Sequence, residues 1–317
     1  GDGEDFYYTP PTGYKALNTD NLDDPAIALP TAHFNTVLYT GDASNPKTVS
    51  GVGFSADMVW LKSRGISQRH NIYDTVRGIP KSGSTDVPRI SPDDATAESD
   101  TTDELRTVTS DGFTVDTSRN GSGNTYAAWN WKAGGTAVSN TDGSITSSVS
   151  ANTTAGFSIA AYTGNGTSPS TIGHGLSVAP EMVMVKNRTT AGENWVVSVG
   201  NATGTNGDFL ILNTDSAVIA GTSQFPSQPG SSTFAVTDAA NVNTNTSNYI
   251  AYCFHSVEGY SKVGGYTGNG STDGTFVYTG FKPAFILWKS TSASENWQIQ
   301  DNKVNPYNVV DKKLFAN

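Results

Sequence analysis

"YTGNG" stands at residues 162–166 and again at 266–270, and a close relative, "YTGDA", stands at 39–43. More than the phrase repeats. Tyr39 precedes Lys62 by 23 residues, Tyr162 precedes Lys186 by 24, and Tyr266 precedes Lys289 by 23. Each lysine ends an apolar run, "ADMVWLK", "PEMVMVK" or "PAFILWK". Each run follows a glycine joined to an apolar residue: Gly53-Phe54, Gly175-Leu176 and Gly280-Phe281. His70, Trp195 or Trp297 comes eight or nine residues after the lysine. The repeating unit is about a hundred residues long, well beyond the ~20–50-residue periods of solenoids.

Each copy opens on a strand pattern. In "FSIAAYT", Phe157, Ile159 and Ala161 face one way and Ser158, Ala160 and Tyr162 the other. The following "GNG" or "GDAS" tolerates positive φ and turns the chain back. The runs ending in lysine are apolar on both faces, as a central sandwich strand requires, and the lysine is expected to carry its charge out to water.

The first two copies share an ending. "DGFTVDTSRNGSGNTYAAWNWK" from Asp111 and "STFAVTDAANVNTNTSNYIAYCFH" from Ser232 each read as a short alternating strand, a polar turn and an aromatic-rich strand. Trp129 and Trp131 share a face of one such strand, as do Tyr252 and Phe254 of the other. The third copy has no such ending before Asn317. The best helical candidate, "ATAESDTTDELRTV" from Ala95, lacks apolar residues at helical spacing and reads as a surface loop or a short helix.

The expected fold is therefore all-β: tandem β-sandwich-like repeats, the third incomplete. The boundaries read as an N-terminal extended arm at 1–30, repeat 1 at 31–135, repeat 2 at 136–258 and a partial repeat 3 at 259–317. "AGGTAVSNTDGS" from Ala133 and "HSVEGYSKVGG" from His255 read as linkers.

Composition restricts function. The 317 residues are 15% charged with a net charge of -10, which disfavours nucleic acid and anionic lipid as partners. No apolar run approaches the ~18 residues that span a bilayer. The single cysteine, Cys253, lies inside "YIAYCF" and reads as a buried inert thiol. Histidines 33, 70, 174 and 255 are scattered, so neither a metal site nor a cofactor is expected.

No nucleophile elbow, phosphate loop, HExxH or CxxC occurs, and the chain reads as non-enzymatic. A glycosidase needs only two carboxylates, about 5 to 10 Å apart, which keeps Asp57, Asp74, Asp111, Asp301 and Glu193 in view beside their ordinary reading as turn formers and salt-bridge partners. For binding, Trp195 and Trp297 each follow "EN", and an exposed indole beside an amide suits a sugar ring; the alternative is a core plug. His174, flanked by glycines in "GHGL", is the third candidate glycan contact, against a plain turn.

The combination "PPTGYKALNTDNL", "VWLKSR", "YDTVRG", "YAAWNWKAGG", "GHGLSVAPEMVMVKNR" and "AYCFHSVEGYSKVGGYTGNG" resembles a family of uncharacterised virion proteins of marine and cyanobacterial bacteriophages, tail or tail-fibre components. In many relatives the first of these motifs resembles the end of a SPRY-like sandwich. The resemblance implies a β-rich structural protein on a virion surface or outside the cell, with other virion proteins as partners, and carries over no catalytic residue.

An incomplete third repeat leaves a sheet edge open, and an open edge templates another strand. Either the N-terminal arm, with Phe6, Tyr7 and Tyr8, folds back to complete that edge, or the arm or a strand of a neighbouring subunit does; these residues with Phe276 and Tyr278 are the expected assembly residues of a homo-oligomer, a trimer or a filament. A structural part of a phage tail fibre or similar extracellular fibre, touching host-surface glycans secondarily, is the expected function. The alternatives are a secreted bacterial filament or adhesin subunit and a glycan-degrading tailspike-like enzyme.

Overall fold

The computed structural model describes residues 11–12, 25–79 and 86–317. Phe6, Tyr7 and Tyr8 lie outside the described residues. The described chain is an all-β assembly of antiparallel sheets, with two four-residue α turns, Gly200–Thr203 and Ala240–Asn243, and two three-residue 3-10 turns, Pro30–Ala32 and Thr117–Arg119.

Copies 1 and 2 reuse one strand plan, and copy 3, expected to open on a strand as they do, keeps only the central and return strands of it. First strands run over Phe34–Thr40 and Phe157–Thr163, and closing strands over Thr125–Trp131 and Asn248–Phe254. Central strands are Met58–Ser63, Met182–Asn187 and Phe285–Trp288; return strands are Asn71–Asp74, Val196–Ser198 and Gln298–Asp301. In copies 1 and 2 the sheet order is first, closing, central, return. The registers superimpose: Trp60 faces Trp129 where Met184 faces Tyr252, and Leu61 faces Asn71 where Val185 faces Val196 and Trp288 faces Gln298.

Because side chains alternate, each main sheet serves two cores. One face of copy 1 packs Val59, Leu61, Tyr73 and Tyr126 against a second sheet of Lys47–Ser50, Gly112–Val115 and Leu105–Thr109. Copy 2 does the same with Val183, Val185, Tyr249 and Cys253 beneath the pair Ser170–Gly173 and Thr233–Val236. Each of these two copies is thus a small sandwich.

The opposite faces meet one another. Met58, Trp60 and Trp129 of copy 1, Ile159, Met184 and Tyr252 of copy 2, and Trp297, Ile299 and Ala316 of copy 3 form one buried cluster. At its rim the copies are bonded in one rotational sense. Trp195 of copy 2 donates Nε1–H to the Ser91 carbonyl of copy 1, and Trp297 of copy 3 donates to the Ile211 carbonyl of copy 2, both at 2.8 Å. His70, the matching ring of copy 1, contacts the backbone of Phe315 in copy 3, although its Nε2 reaches no full hydrogen bond.

The acceptor residues are equivalent. Ile211 pairs with Val196, Phe315 pairs with Gln298, and Ser91 lies one residue past the Ile72–Ile90 bridge. A second set of bonds runs the same way: Tyr252 Oη donates to Asp74 Oδ2 at 2.6 Å, and Trp129 Nε1 donates to Asp301 Oδ2 at 3.1 Å. Copy 2 holds copy 1, copy 1 holds copy 3, and copy 3 holds copy 2. The molecule is a closed ring of three quasi-equivalent sheets in one chain.

Two local expectations change. Residues expected as a linker from Ala133 supply an edge strand, Val138–Asn140, while Asp57 accepts from Ala133 N at 2.8 Å and Gly135 N at 3.3 Å, pinning the junction. The segment from Ala95 forms two short strands, Ser99–Thr101 and Leu105–Thr109, rather than a helix or a free loop. Its Glu98 accepts from Arg188 of copy 2 and Arg77 of copy 1, and Arg77 also binds Asp74, so Glu98 bridges the two copies, while Glu104 binds Arg89 and Arg119 within copy 1.

Candidate functional site

The repeated turn is a docking point for the closing element. Asn120 donates to Asp42 Oδ1 and the Ser44 carbonyl and accepts from Asp42 N; Asn243 likewise donates to Asn165 Oδ1 and the Thr167 carbonyl and accepts from Asn165 N. Glycine is required in these two phrases because a Cβ at Gly41 or Gly164 would run into the carbonyl oxygen of Gly121 or Thr244, whereas one at Gly268 would meet open space. The third phrase has no such partner. There Asn269 accepts from Ser271 N at 3.0 Å in a turn of its own making.

The lysines that end the central strands are folded inward rather than carried out to water. Lys186, fully buried, donates Nζ to the Asn187 and Glu193 carbonyls, both at 2.8 Å. Lys62 caps the Gln68 carbonyl, and Lys289 caps those of Ser290 and Ala293. Each ammonium thereby closes the loop that follows its strand. Burial pulls the Lys186 pKa down to about 8.

The sequence candidates for glycan contact are placed in the interior. Trp195 is 0% and Trp297 4% exposed, so neither indole offers a face to a sugar, and the hydrogen of each is already held by a neighbouring copy. The "EN" before each tryptophan is a frame for this placement. Asn213 and Asn317 accept from the tryptophan amides at 2.9 and 2.7 Å and donate to Asn194 and Asn296. His174 is buried; its Nδ1 accepts from Leu176 N at 3.1 Å and its Nε2 lies 3.1 Å from the Gly230 carbonyl, which makes it a turn bracket.

Four of the five carboxylates are likewise committed. Asp57, Asp74 and Asp301 are at most 3% exposed. Asp301 accepts from Thr36 Oγ1, Trp129 Nε1, Lys303 N and Val304 N, and Asp74 from Arg77 and Tyr252. Asp111 accepts from Gly51 N and Gly53 N, and Glu193 takes part through its backbone carbonyl. A cavity of about 270 Å³ beside Arg69, Arg89 and Ser91 contains none of the five, and Arg89 is paired with Glu104. Among the described residues no three His, Cys, Asp or Glu converge as metal ligands.

Among the described residues, what remains open is copy 3. Its central strand pairs with Gln298–Asp301 on one side, whereas Met58–Ser63 and Met182–Asn187 are paired on both. The position where Thr125–Trp131 or Asn248–Phe254 would lie has no counterpart within 259–317. Phe285 and Leu287 pack toward the shared core, Phe285 lying 5.4 Å from Phe34 and 5.8 Å from both Trp129 and Trp131, while Ile286 is 43% exposed on the other face.

Exposure follows the missing cover. Among the described residues every aromatic side chain counted as exposed lies in copy 3: Tyr266, Phe276, Tyr278, Tyr307 and Phe315. Of the assembly residues expected from the sequence, Phe276 is 86% and Tyr278 78% exposed. They sit in "TFVYT", an alternating pattern that pairs with nothing in a stretch, 264–280, free of strand. Exposed aromatics and an unpaired strand edge within one copy suit protein contact.

No curated protein and no solved structure matches the chain. One family does: residues 29–317, spanning all three copies, match DUF7483, a domain of unknown function, and the chain belongs to that family.

Proposed function

We propose that the protein is a structural, non-catalytic component of a phage tail fibre or similar extracellular fibre, joined to its neighbours by β-strand contacts at copy 3. The observation that carries this reading is the edge of Phe285–Trp288, unpaired among the described residues, in the same copy as the exposed aromatics. Such an edge is otherwise an aggregation hazard that proteins blunt with charge or proline, and Phe285–Trp288 carries neither. The virion-protein motifs support the setting. A direct glycan contact has lost its three residues to the interior and forms no part of the proposal.

Light scattering with negative-stain electron microscopy over a hundredfold range of concentration tests it. Discrete oligomers or regular fibres are expected. A monomer at every concentration, or release of sugar from polysaccharide that Asp301→Asn abolishes, overturns it.

A further inference from the structure

The complete copies dictate what an occupant of the open edge must look like. Their closing strands run antiparallel to the central strand and carry two core-facing aromatics two residues apart, Trp129 and Trp131 or Tyr252 and Phe254. The first of each pair faces Trp60 or Met184, and the second faces Met58 or Met182. Transferred to copy 3, these partners become Leu287 and Phe285.

One stretch among the described residues has this chemistry and is unpaired: "TFVYT" at 275–279, with Phe276 and Tyr278 two apart and Val277, 45% exposed, between them. It lies only a few residues before the edge it would complete, so a twofold axis between two molecules places both donors beside both acceptors.

Resting on the assembly reading above, we infer that two copies of this protein exchange residues 275–279, each strand adding antiparallel to Phe285–Trp288 of the other. Phe276 then faces Leu287, Val277 faces Ile286 and Tyr278 faces Phe285. The aromatics cover the part of the shared core left half-buried at Trp131, Met182, Phe254 and Phe285, and the new backbone bonds remove the exposed edge.

Cysteine pairing reads the register. Ile286 is exposed on the face away from the shared core, Val277 is exposed, and the native Cys253 is buried. Val277→Cys and Ile286→Cys proteins, mixed in equal amounts and mildly oxidised, are expected to give a dimer whose 277–286 disulfide is found by peptide mass spectrometry. The disulfide should be lost in a Phe276→Ser/Tyr278→Ser background, whose exposed sites leave each molecule folded by circular dichroism. A bridge that closes within one chain of the Val277→Cys/Ile286→Cys double variant at monomer mass overturns the exchange. So does an oligomer that survives Phe276→Ser/Tyr278→Ser without the bridge, and that result leaves the assembly reading standing. A monomer at all concentrations overturns both.

Discussion

His70 holds the place that Trp195 and Trp297 hold in the other copies, and its neighbour changes with it. Trp60 Nε1 donates to His70 Nδ1 at 2.8 Å, whereas the counterparts of Trp60 are Met184 and Leu287, which need no acceptor. Burial first, then the charges of Lys62 and Arg119, pull the His70 pKa down to about 3 from 6.5, against a smaller opposing contact with Phe315. The folded state therefore keeps this ring neutral while the unfolded chain binds a proton below pH 6.5, so stability is lost as pH falls through 6.5 toward 3. Between pH 6.5 and 4.5 the loss from this one residue is about 2 kcal/mol. Urea midpoints of the wild type and His70→Gln, whose amide also accepts from Trp60, should converge over that interval; parallel curves would show that the ring is not held neutral. Lys186 acts at the alkaline end. Its folded pKa of about 8 lies below the unfolded 10.5, so the unfolded chain holds the extra proton between them and raising the pH favours the fold. Relative to Lys186→Met, the wild type should gain about 2 kcal/mol from pH 8 to pH 10, measured by the same urea titration.

At the scale of elements, one phrase has two fates. In copies 1 and 2 the turn is bonded to an asparagine of the closing element, and in copy 3 its bonds among the described residues go to Ser271, Asp273 and Thr275 just beyond it. Asn243→Ala removes a fully buried amide together with its half-buried bonds to Asn165 N and the Thr167 carbonyl and should cost about 1–3 kcal/mol. Asn269→Ala, at an exposed turn, should stay within about 0.5 kcal/mol. Equal costs in thermal melts would mean that the phrase works locally in every copy. This contrast marks what the sequence could reveal. Period-two alternation in "FSIAAYT", the apolar runs ending in lysine and the missing third ending were all legible, because each is written in side-chain pattern. The direction of Lys186 and the burial of Trp195 were not, since both depend on backbone carbonyls, at Glu193 and Ser91, that any residue provides. One signal did exist: a large ring eight or nine residues after every lysine implies a common environment for all three, which a solvent-exposed sugar platform does not supply.

Over the whole molecule, the ring of copies decides how it unfolds. Two sandwiches tied by a linker would melt separately, but here Trp129, Tyr252 and Trp297 lie in one cluster, and the buried chain Arg188–Glu98–Arg77–Asp74–Tyr252 runs between copies 1 and 2. Asp301 is the corresponding clasp between copies 1 and 3. Its loss leaves the Thr36 hydroxyl and the Trp129 indole hydrogen buried without an acceptor. Asp301→Ala should therefore cost about 2–5 kcal/mol, from two stranded donors together with the backbone amides it caps. The wider consequence is cooperativity. Calorimetry should show a single transition for the wild type, and Asp301→Ala should lower it as a whole, although residue 301 lies outside both complete sandwiches. Two resolved transitions, with only the lower one moved, would mean that the copies merely touch. A single transition displaced intact would mean that the third sheet, open at one edge, is at the same time the keystone of the other two.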